Sequence, residues 1–269
     1  MPTWLDPELT TLAFCWRLDR RDGVTLGFTS HDQDLNLGGL LYRASPGMVP
    51  SAIEKSSGFD ADSVDLSGLL ASDAITKDDL IAGRWDGARL RLSAVDWTDP
   101  DTGPVLLVSG SLGSVQVEGE QFQVELRGAS AALDAPVVEM TSPDCRASLE
   151  DKRCRVDLAG RRWLVVANAA SDALVSVEQL LVPGHFSYGT LRWFDGANAG
   201  LSTMILDNSA SSLTLAEAPA FSVQLGDRAE ITEGCDRRFE TCVNRFANSL
   251  NFRGEPHLPG NDLLTRYAT

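Results

Sequence analysis

Four of the five cysteines form two pairs whose thiol groups could hold a metal. Cys145 and Cys154 are separated by eight residues, and Cys235 and Cys242 are separated by six. In a reducing cytoplasm such thiols are more often metal ligands or free thiols than disulfides. Structural zinc usually takes pairs spaced by two to four residues, whereas a 4Fe-4S cluster accepts thiolates from separate loops. The spacing modestly favours a 4Fe-4S cluster and leaves zinc as the alternative.

The neighbours of these cysteines are basic, although the formal net charge of the chain is −15. Positive side chains lower the pKa of a thiol and offset the negative charge of a thiolate-ligated cluster. The other interpretations are solvated arginines beside unlinked buried thiols, or two local disulfides. Cys15 lies alone in a predicted strand and is interpreted as a small core residue that is not a ligand. The flanking basic residues are Arg146, Lys152, Arg153, Arg155, Arg237, Arg238 and Arg245.

The residues after Cys242 could cover such a site. Phe252 is followed by glycines and prolines that predict a rigid loop, which we expect to shield the cluster. Sulfur ligands also need hydrogen-bond donors that tune their charge. The candidate donors are Asn244, Arg245, Asn248 and Asn251.

The elements that must position these residues are mainly strands, because short stretches alternate between apolar and polar residues. Glycines at Asp22-Gly23 and Glu118-Gly119 predict hairpin turns. Short helices are predicted over 75–82, where Thr76 and Asp79 form a capping box, and over 129–133 and 237–246. The predicted strands cover 11–19, 24–29, 40–44, 88–96, 115–117, 121–126, 163–167, 174–177, 190–194, 202–206 and 213–215.

Prolines break this alternation between the two halves of the chain. Pro136 and Pro143 place the domain boundary near Asp134. We therefore expect an N-terminal β-rich domain over 1–134 and a cysteine-bearing region over 135–160 and 232–269. A further β-rich domain over 161–231 is inserted between the two parts of the cysteine-bearing region.

Several functional classes have little support in the composition. The net charge of −15 argues against general affinity for nucleic acid, which needs a basic face. No signal peptide or apolar membrane-spanning stretch is recognised, which predicts a soluble protein made in the cytoplasm. Only three histidines are present, and neither a nucleophile elbow nor a phosphate-binding glycine loop is found. We do not expect an enzyme.

One alternating acidic stretch is similar to a calcium loop but departs from that pattern. Asp32, Asp34, Asn36 and Gly38 alternate, yet the glycine comes one place late and Arg43 stands where a bidentate glutamate is needed. Polar turn contacts that lead into the strand at 40–44 are the preferred interpretation.

Three segments resemble a known family. The stretch CDRRFETCVNRFANSLNFRGEPHLPGND resembles the C-terminal signature of phage tail hub proteins related to the minor tail protein L of phage lambda. Those relatives carry a C-x8-C pair followed by a C-x6-C pair and bind an iron-sulfur cluster. The resemblance thus places the ligands of a 4Fe-4S cluster on Cys145, Cys154, Cys235 and Cys242. FTSHDQDLNLGGLLYRA and DAITKDDLIAGRWDGARLRLSAVDW resemble hub proteins of gene transfer agents, whereas the long segment between the cysteine pairs departs from the lambda relative.

The resemblance implies a mainly β fold, with barrel- or sandwich-like hub domains, a few short helices and a C-terminal iron-sulfur region. It implies a structural subunit that joins the distal tail ring to the central, megatron-like fibre or to cell-wall-penetrating parts, near a tail peptidase. A homotrimer is expected, made in the bacterial cytoplasm and assembled into a tail baseplate, with DNA passing through its lumen without specific binding. The alternatives are a soluble iron-sulfur redox enzyme and a zinc-stabilised structural adaptor.

Overall fold

The structure is a computed structural model that describes residues 11–45, 63–67, 75–118, 121–128 and 138–258. The chain divides into two compact units, residues 1–137 and 138–269. Strands dominate both units within the described residues, and the helices there are short, which confirms the predicted mainly β class. No helix in the described part is long and apolar enough to cross a membrane.

The first unit contains an eight-stranded sheet with the order β3-β4-β2-β1-β6-β7-β8-β5. Neighbouring strands are antiparallel except β2 and β4, which are parallel. Among the described strands the sheet is open, and β3 and β5 lie at its two edges. The strands are β1 (Leu12–Asp19), β2 (Thr25–Thr29), β3 (Leu35–Leu37), β4 (Leu40–Ala44), β5 (Ser63–Ser67), β6 (Arg89–Asp96), β7 (Val105–Glu118) and β8 (Gln121–Arg127).

A short helix, α1 (Lys77–Ile81), precedes β6. The Thr76 side chain accepts a hydrogen bond from the Asp79 backbone N–H at 3.1 Å, which confirms Thr76 as the cap. The Asp79 carboxylate accepts a hydrogen bond from Arg84 at 2.6 Å, so the second bond of the predicted capping box is replaced. Leu80 packs with Trp16 and Trp85 in the main core of this unit. The helix predicted over 129–133 lies outside the described residues.

The second unit contains a closed six-stranded barrel with the order β10-β13-β12-β11-β14-β9. Its strands are β9 (Arg162–Ser171), β10 (Leu174–Val177), β11 (Thr190–Trp193), β12 (Ser202–Asn208), β13 (Ser212–Leu215) and β14 (Arg228–Thr232). Alternate residues point inward, as in β11, where Leu191 and Trp193 are buried while Thr190 and Arg192 are exposed. These inward residues form one apolar core.

The chain enters and leaves the barrel at one place, because Arg162 of β9 lies opposite Thr232 of β14. One cysteine pair precedes β9 in sequence and the other follows β14. The second pair is carried into α2 (Phe239–Asn244), which is shorter than the predicted helix over 237–246. Arg237 has φ = 64°, a left-handed conformation that an α-helix cannot include, so the helix begins after Arg238.

Candidate metal centre

The four paired cysteines line one small cavity in the second unit. Cys154 and Cys242 are buried, whereas Cys145 and Cys235 are half-buried. All are free thiols, so the structure contains neither of the local disulfides considered above. The cavity is also lined by Ala147, Leu149, Val156, Arg237, Arg238, Phe246, Asn248 and Asn251.

Cys15 is separate from this group. It lies in β1 of the first unit, where it is buried, and its thiol donates a 3.6 Å hydrogen bond to the Thr29 hydroxyl. Burial raises the pKa of the Cys15 thiol, which favours its neutral form. These features agree with a core residue.

A turn built on Asp151 presents Cys154 to the cavity. The Asp151 carboxylate accepts hydrogen bonds from the backbone N–H groups of Ser148 at 2.8 Å, Arg153 at 2.8 Å and Cys154 at 2.6 Å. These bonds lower the pKa of Asp151, with the bond from Cys154 as the largest cause. An ionised carboxylate can therefore hold this turn at neutral pH.

Close backbone packing at two glycines positions Cys235. A Cβ atom on Gly234 would lie 2.1 Å from both the Gly189 nitrogen and the Ser187 carbonyl oxygen, and one on Gly189 would lie 2.0 Å from the Thr232 carbonyl oxygen. Only glycine fits at both positions. The start of the segment that carries Cys235 is consequently held against the barrel loop before β11.

We refer to residues 142–158 and 234–258 as the cysteine region. Its two segments are joined by hydrogen bonds from the Cys145 N–H to the Arg237 carbonyl, at 2.8 Å, and from the Asn248 side-chain amide to the Cys154 carbonyl, at 2.6 Å. The Asn248 N–H also donates to the carbonyl of Cys242 at 2.9 Å. Backbone groups of Cys145, Cys154 and Cys242 thus form hydrogen bonds within the cysteine region.

An ion pair adds to these links. The Arg146 guanidinium donates to both carboxylate oxygens of Glu255, at 2.7 and 2.9 Å, and Glu255 also accepts from the Ser142 N–H at 2.9 Å. The bond from Arg146, followed by that from Ser142, lowers the pKa of Glu255 to about 2. This bidentate pair fastens the last described residues of the chain to the loop that contains Cys145.

The thiols affect each other electrostatically. Burial, followed by the charges of Cys145, Cys235 and Cys154, raises the pKa of Cys242 to about 11. Burial is also the largest cause of the raised pKa of Cys235, to which Cys154 and Cys145 add. Four thiolates here would therefore need a compensating positive charge, which a bound metal would supply as it displaced the protons.

Polar groups point at the sulfur atoms. The Arg253 N–H donates to the Cys145 sulfur at 3.4 Å, and the Asn248 amide lies 3.7 Å from the Cys154 sulfur. Asn251 donates to the Asn248 side-chain oxygen at 2.7 Å and so orients that amide. Asn248 and Asn251 thus occupy the predicted place beside the sulfurs. Asn244 instead lines a separate groove.

The basic residues near the cysteines have two kinds of contact. Arg237 and Arg238 line the cavity. Arg146, Arg153 and Arg245 form ion pairs with Glu255, Glu139 and Glu233 respectively. Sequence reasoning missed these acidic partners, because no local pattern distinguishes them from the other acidic residues.

The closing loop packs near the cysteine pairs. Gly254 approaches the Asp144 carbonyl so closely that a Cβ atom would lie 2.5 Å from its oxygen, and the rings of Phe239 and Phe252 are 5.0 Å apart. The predicted loop therefore contacts both halves of the cysteine region. Pro259 and Gly260 lie outside the described residues.

A single ion and an iron-sulfur cluster place different demands on the four sulfur atoms. Among the described residues, no group of three or more His, Cys, Asp or Glu side chains is arranged to hold one metal ion. Tetrahedral zinc would require sulfur atoms about 3.8 Å apart, given its bond length to sulfur, whereas an iron-sulfur cluster binds each thiolate at a different iron. The cavity is only about 20 Å³, so the cysteine side chains must rotate to admit a cluster.

Comparisons with known proteins agree with this architecture. A family model described as "Baseplate hub protein, N-terminal attachment domain" matches residues 1–157, and one described as "Phage conserved hypothetical protein BR0599" matches residues 184–262. A chain in the solved structure "Virion of native gene transfer agent (GTA) particle" is 36% identical, with a TM-score of 0.86. The match covers 99% of this chain and 94% of that chain. No curated protein sequence matches.

These matches define a class, the tail-assembly proteins of phage-like particles. Within that class, the chain belongs to the baseplate hub protein family. The resemblance noted in the sequence to hub proteins of phage-like tails and gene transfer agents is confirmed.

Proposed function

We propose that the chain is a structural baseplate hub subunit of a phage-like tail or gene transfer agent, stabilised by a 4Fe-4S cluster on Cys145, Cys154, Cys235 and Cys242. As a homotrimer it joins the distal tail ring to the central fibre or to cell-wall-penetrating parts. The observation that carries the proposal is the convergence of all four cysteines on one cavity in a chain of the hub family. The proposal assigns no catalytic step.

The cluster has a mechanical role in this proposal. When bound, it would supply metal–thiolate bonds between two segments that are separated in sequence by the whole barrel. Structural zinc in small domains contributes on the order of 10 kcal/mol of folding free energy, and a cluster held by four protein thiolates can act in the same way. The chain's own contacts at Asn248, Arg253 and Glu255 orient the two segments before the metal binds.

Charge supports passage of DNA without specific binding. The first unit, residues 1–137, contains ten Lys or Arg residues against twenty-one Asp or Glu, and the second contains thirteen against seventeen. A lumen lined by such a surface repels phosphate groups. Within the part of the chain that the structure describes, β3 and β5 are edge strands that can pair with neighbouring chains, which suits assembly into a ring.

Metal analysis tests the proposal directly. Protein purified without oxygen should contain about four iron atoms and four sulfide ions per chain and should be brown. Cys235→Ser and Cys242→Ser should lose this iron, whereas the matched control Cys15→Ala should keep it. Stoichiometric zinc in place of iron would convert the assignment to a zinc-stabilised adaptor, and a wild-type protein free of both metals would exclude a metal centre.

Particle assembly tests the structural role. A strain that lacks the chain should produce no functional tails, and the wild-type chain or Cys15→Ala should restore them. Cys235→Ser and Cys242→Ser should fail to do so, because the cysteine region cannot form. Normal particles from both serine variants would contradict a structural need for the cluster.

A further inference from the structure

A buried carboxylate lies where the barrel meets the cysteine region. Glu233 follows β14 directly, and its side chain is only 6% exposed. It contacts Arg161, which precedes β9, and Arg245, which follows α2. We call these three residues, together with Phe246, the Glu233 cluster.

Both arginines reach the same carboxylate oxygen. The distance to Glu233 Oε2 is 2.7 Å from Arg161 Nη1 and 3.0 Å from Arg245 Nη2. Their guanidinium groups also lie 5.0 and 5.2 Å from the centre of the Phe246 ring. Such stacking desolvates the cations and favours one fixed arrangement.

Further bonds tie the cluster to the backbone on both sides. The Glu233 N–H donates to the Arg161 carbonyl at 3.0 Å, so these two residues are fixed at the barrel end. Arg161 donates to the carbonyl of Arg245 at 3.4 Å, and Arg245 donates to the carbonyl of His185 in the loop before β11. Arg245 therefore binds two barrel segments while it belongs to the segment of Cys242.

The carboxylate of Glu233 is fully paired only when this segment is docked. A buried charge without its partners is strongly unfavourable, so Glu233 disfavours any state in which Arg245 has moved away. Cys235 lies two residues beyond Glu233 and Cys242 three residues before Arg245. The Glu233 cluster therefore restrains both ends of the segment that contains Cys235 and Cys242.

We infer that Glu233 is a positioning residue that locks the Cys235–Cys242 segment onto the barrel. Metal retention then depends on a side chain that is not a ligand. The inference about metal rests on the proposed function, whereas the inference about docking does not require a metal.

A comparison of two isosteric variants tests this role. Glu233→Gln removes the buried charge, and Asp195→Asn is the matched control, because Asp195 pairs with Arg228 at 2.6 Å on the exposed surface of the same barrel. Hydrogen exchange of residues 236–248 should be at least about tenfold faster in Glu233→Gln, with strands β12 and β13 unchanged. Iron loss to a chelator should also be about tenfold faster, with an altered visible spectrum at equal iron content. Asp195→Asn should match the wild-type protein in each measurement.

A milder variant decides the question if Glu233→Gln does not fold. Arg245→Lys keeps the positive charge but loses the planar guanidinium group, which donates hydrogen bonds to Glu233 and to the His185 carbonyl at the same time. The same local increase in hydrogen exchange is therefore expected. The inference would be overturned if protection fell equally across all barrel strands, or if the variants behaved like Asp195→Asn. In either case, iron in the wild-type protein would still support the proposed function. Wild-type protein without metal would refute the proposed iron-sulfur cluster. Faster local hydrogen exchange in Glu233→Gln would still support the positioning role of Glu233.

Discussion

The barrel and the cysteine region lie in the same unit but are held together differently. Among the described residues, thirteen buried apolar side chains form the barrel core. The apolar cluster of the cysteine region has four, Ala147, Cys154, Val156 and Leu158. Since folding free energy comes mainly from apolar burial, the barrel has its own source of stability and the cysteine region has little.

The cysteine region has few buried apolar side chains and is held instead by hydrogen bonds and ion pairs. Several of its residues also adopt strained backbone conformations. Six non-glycine residues in the described part have positive φ angles, and four of them, Glu150, Arg155, Arg237 and Ala247, belong to this region. Such conformations persist only when surrounding contacts over-determine them. The proposed metal would therefore stabilise the region with the smaller apolar core, whereas the barrel would not depend on it.

The largest effect is expected at a cysteine. In Cys242→Ser the free energy of unfolding should fall by on the order of 10 kcal/mol relative to the metal-bound wild type, because the variant loses a metal whose binding is coupled to folding. Hydrogen exchange should show lost protection in the cysteine region and retained protection in the barrel. The control Cys15→Ala alters the first unit only. Equal protection of Cys242→Ser and the wild type would remove the proposed distinction between the regions.

A backbone change at the junction should have the next largest effect. In Gly234→Ala the new Cβ would overlap main-chain atoms of Ser187 and Gly189, so we expect a loss of about 4 kcal/mol in chemical denaturation. Gly160→Ala is the matched control, since a Cβ there meets nothing within 4 Å. Similar midpoints for the two variants would show that the close approach is not a constraint.

Shortening one buried apolar side chain in each region compares how much the stability of the barrel and of the cysteine region depends on apolar packing. Ile231→Ala removes a fully buried side chain from the barrel and should cost about 3 kcal/mol in urea denaturation. Val156→Ala in the cysteine region should cost about 1 kcal/mol, since the deleted volume is smaller and the side chain is 9% exposed. A larger loss for Val156→Ala than for Ile231→Ala would mean that the cysteine region depends on apolar packing after all.

The smallest effect is expected from the Arg146–Glu255 pair and should depend on pH. The pKa of Glu255 is lowered to about 2 in the folded protein, so its stabilising effect is complete above the unfolded value near 4.5 and is lost as pH falls towards 2. The melting temperatures of metal-free wild type and Glu255→Gln should therefore differ at pH 7 and converge towards pH 2. A constant difference across this range would contradict the role assigned to the Glu255 charge.

Local sequence patterns predicted most strands but not their full extent. The alternation over 163–167 located the start of β9, yet the strand continues to Ser171 through small residues that pair with β10. Only 115–117 of β7 was predicted, because Gly110 and Gly113 interrupt the apolar pattern of a strand that begins at Val105. The closure of the barrel by β9 and β14 depends on pairing between distant residues, which no local period encodes.

At the candidate site, residue type was informative and contact partners were not. The four cysteines were recognisable from thiol chemistry and spacing, and the structure places them around one cavity. Glu233 carries no local signal, because its partner Arg161 is 72 residues away. Gly189 and Gly234 are likewise ordinary glycines in sequence, and only the close approach of their backbones shows why each is needed.

The adjacent ends of the barrel make it an exchangeable insertion. Residues directly opposite in an antiparallel pair lie about 5 Å apart, and Arg162 and Thr232 are such a pair. A short turn could span this gap, so the barrel could be exchanged or lost during evolution while the two cysteine segments kept their relative places. Hub chains with very different lengths between their cysteine pairs could then keep the same arrangement of the four cysteines.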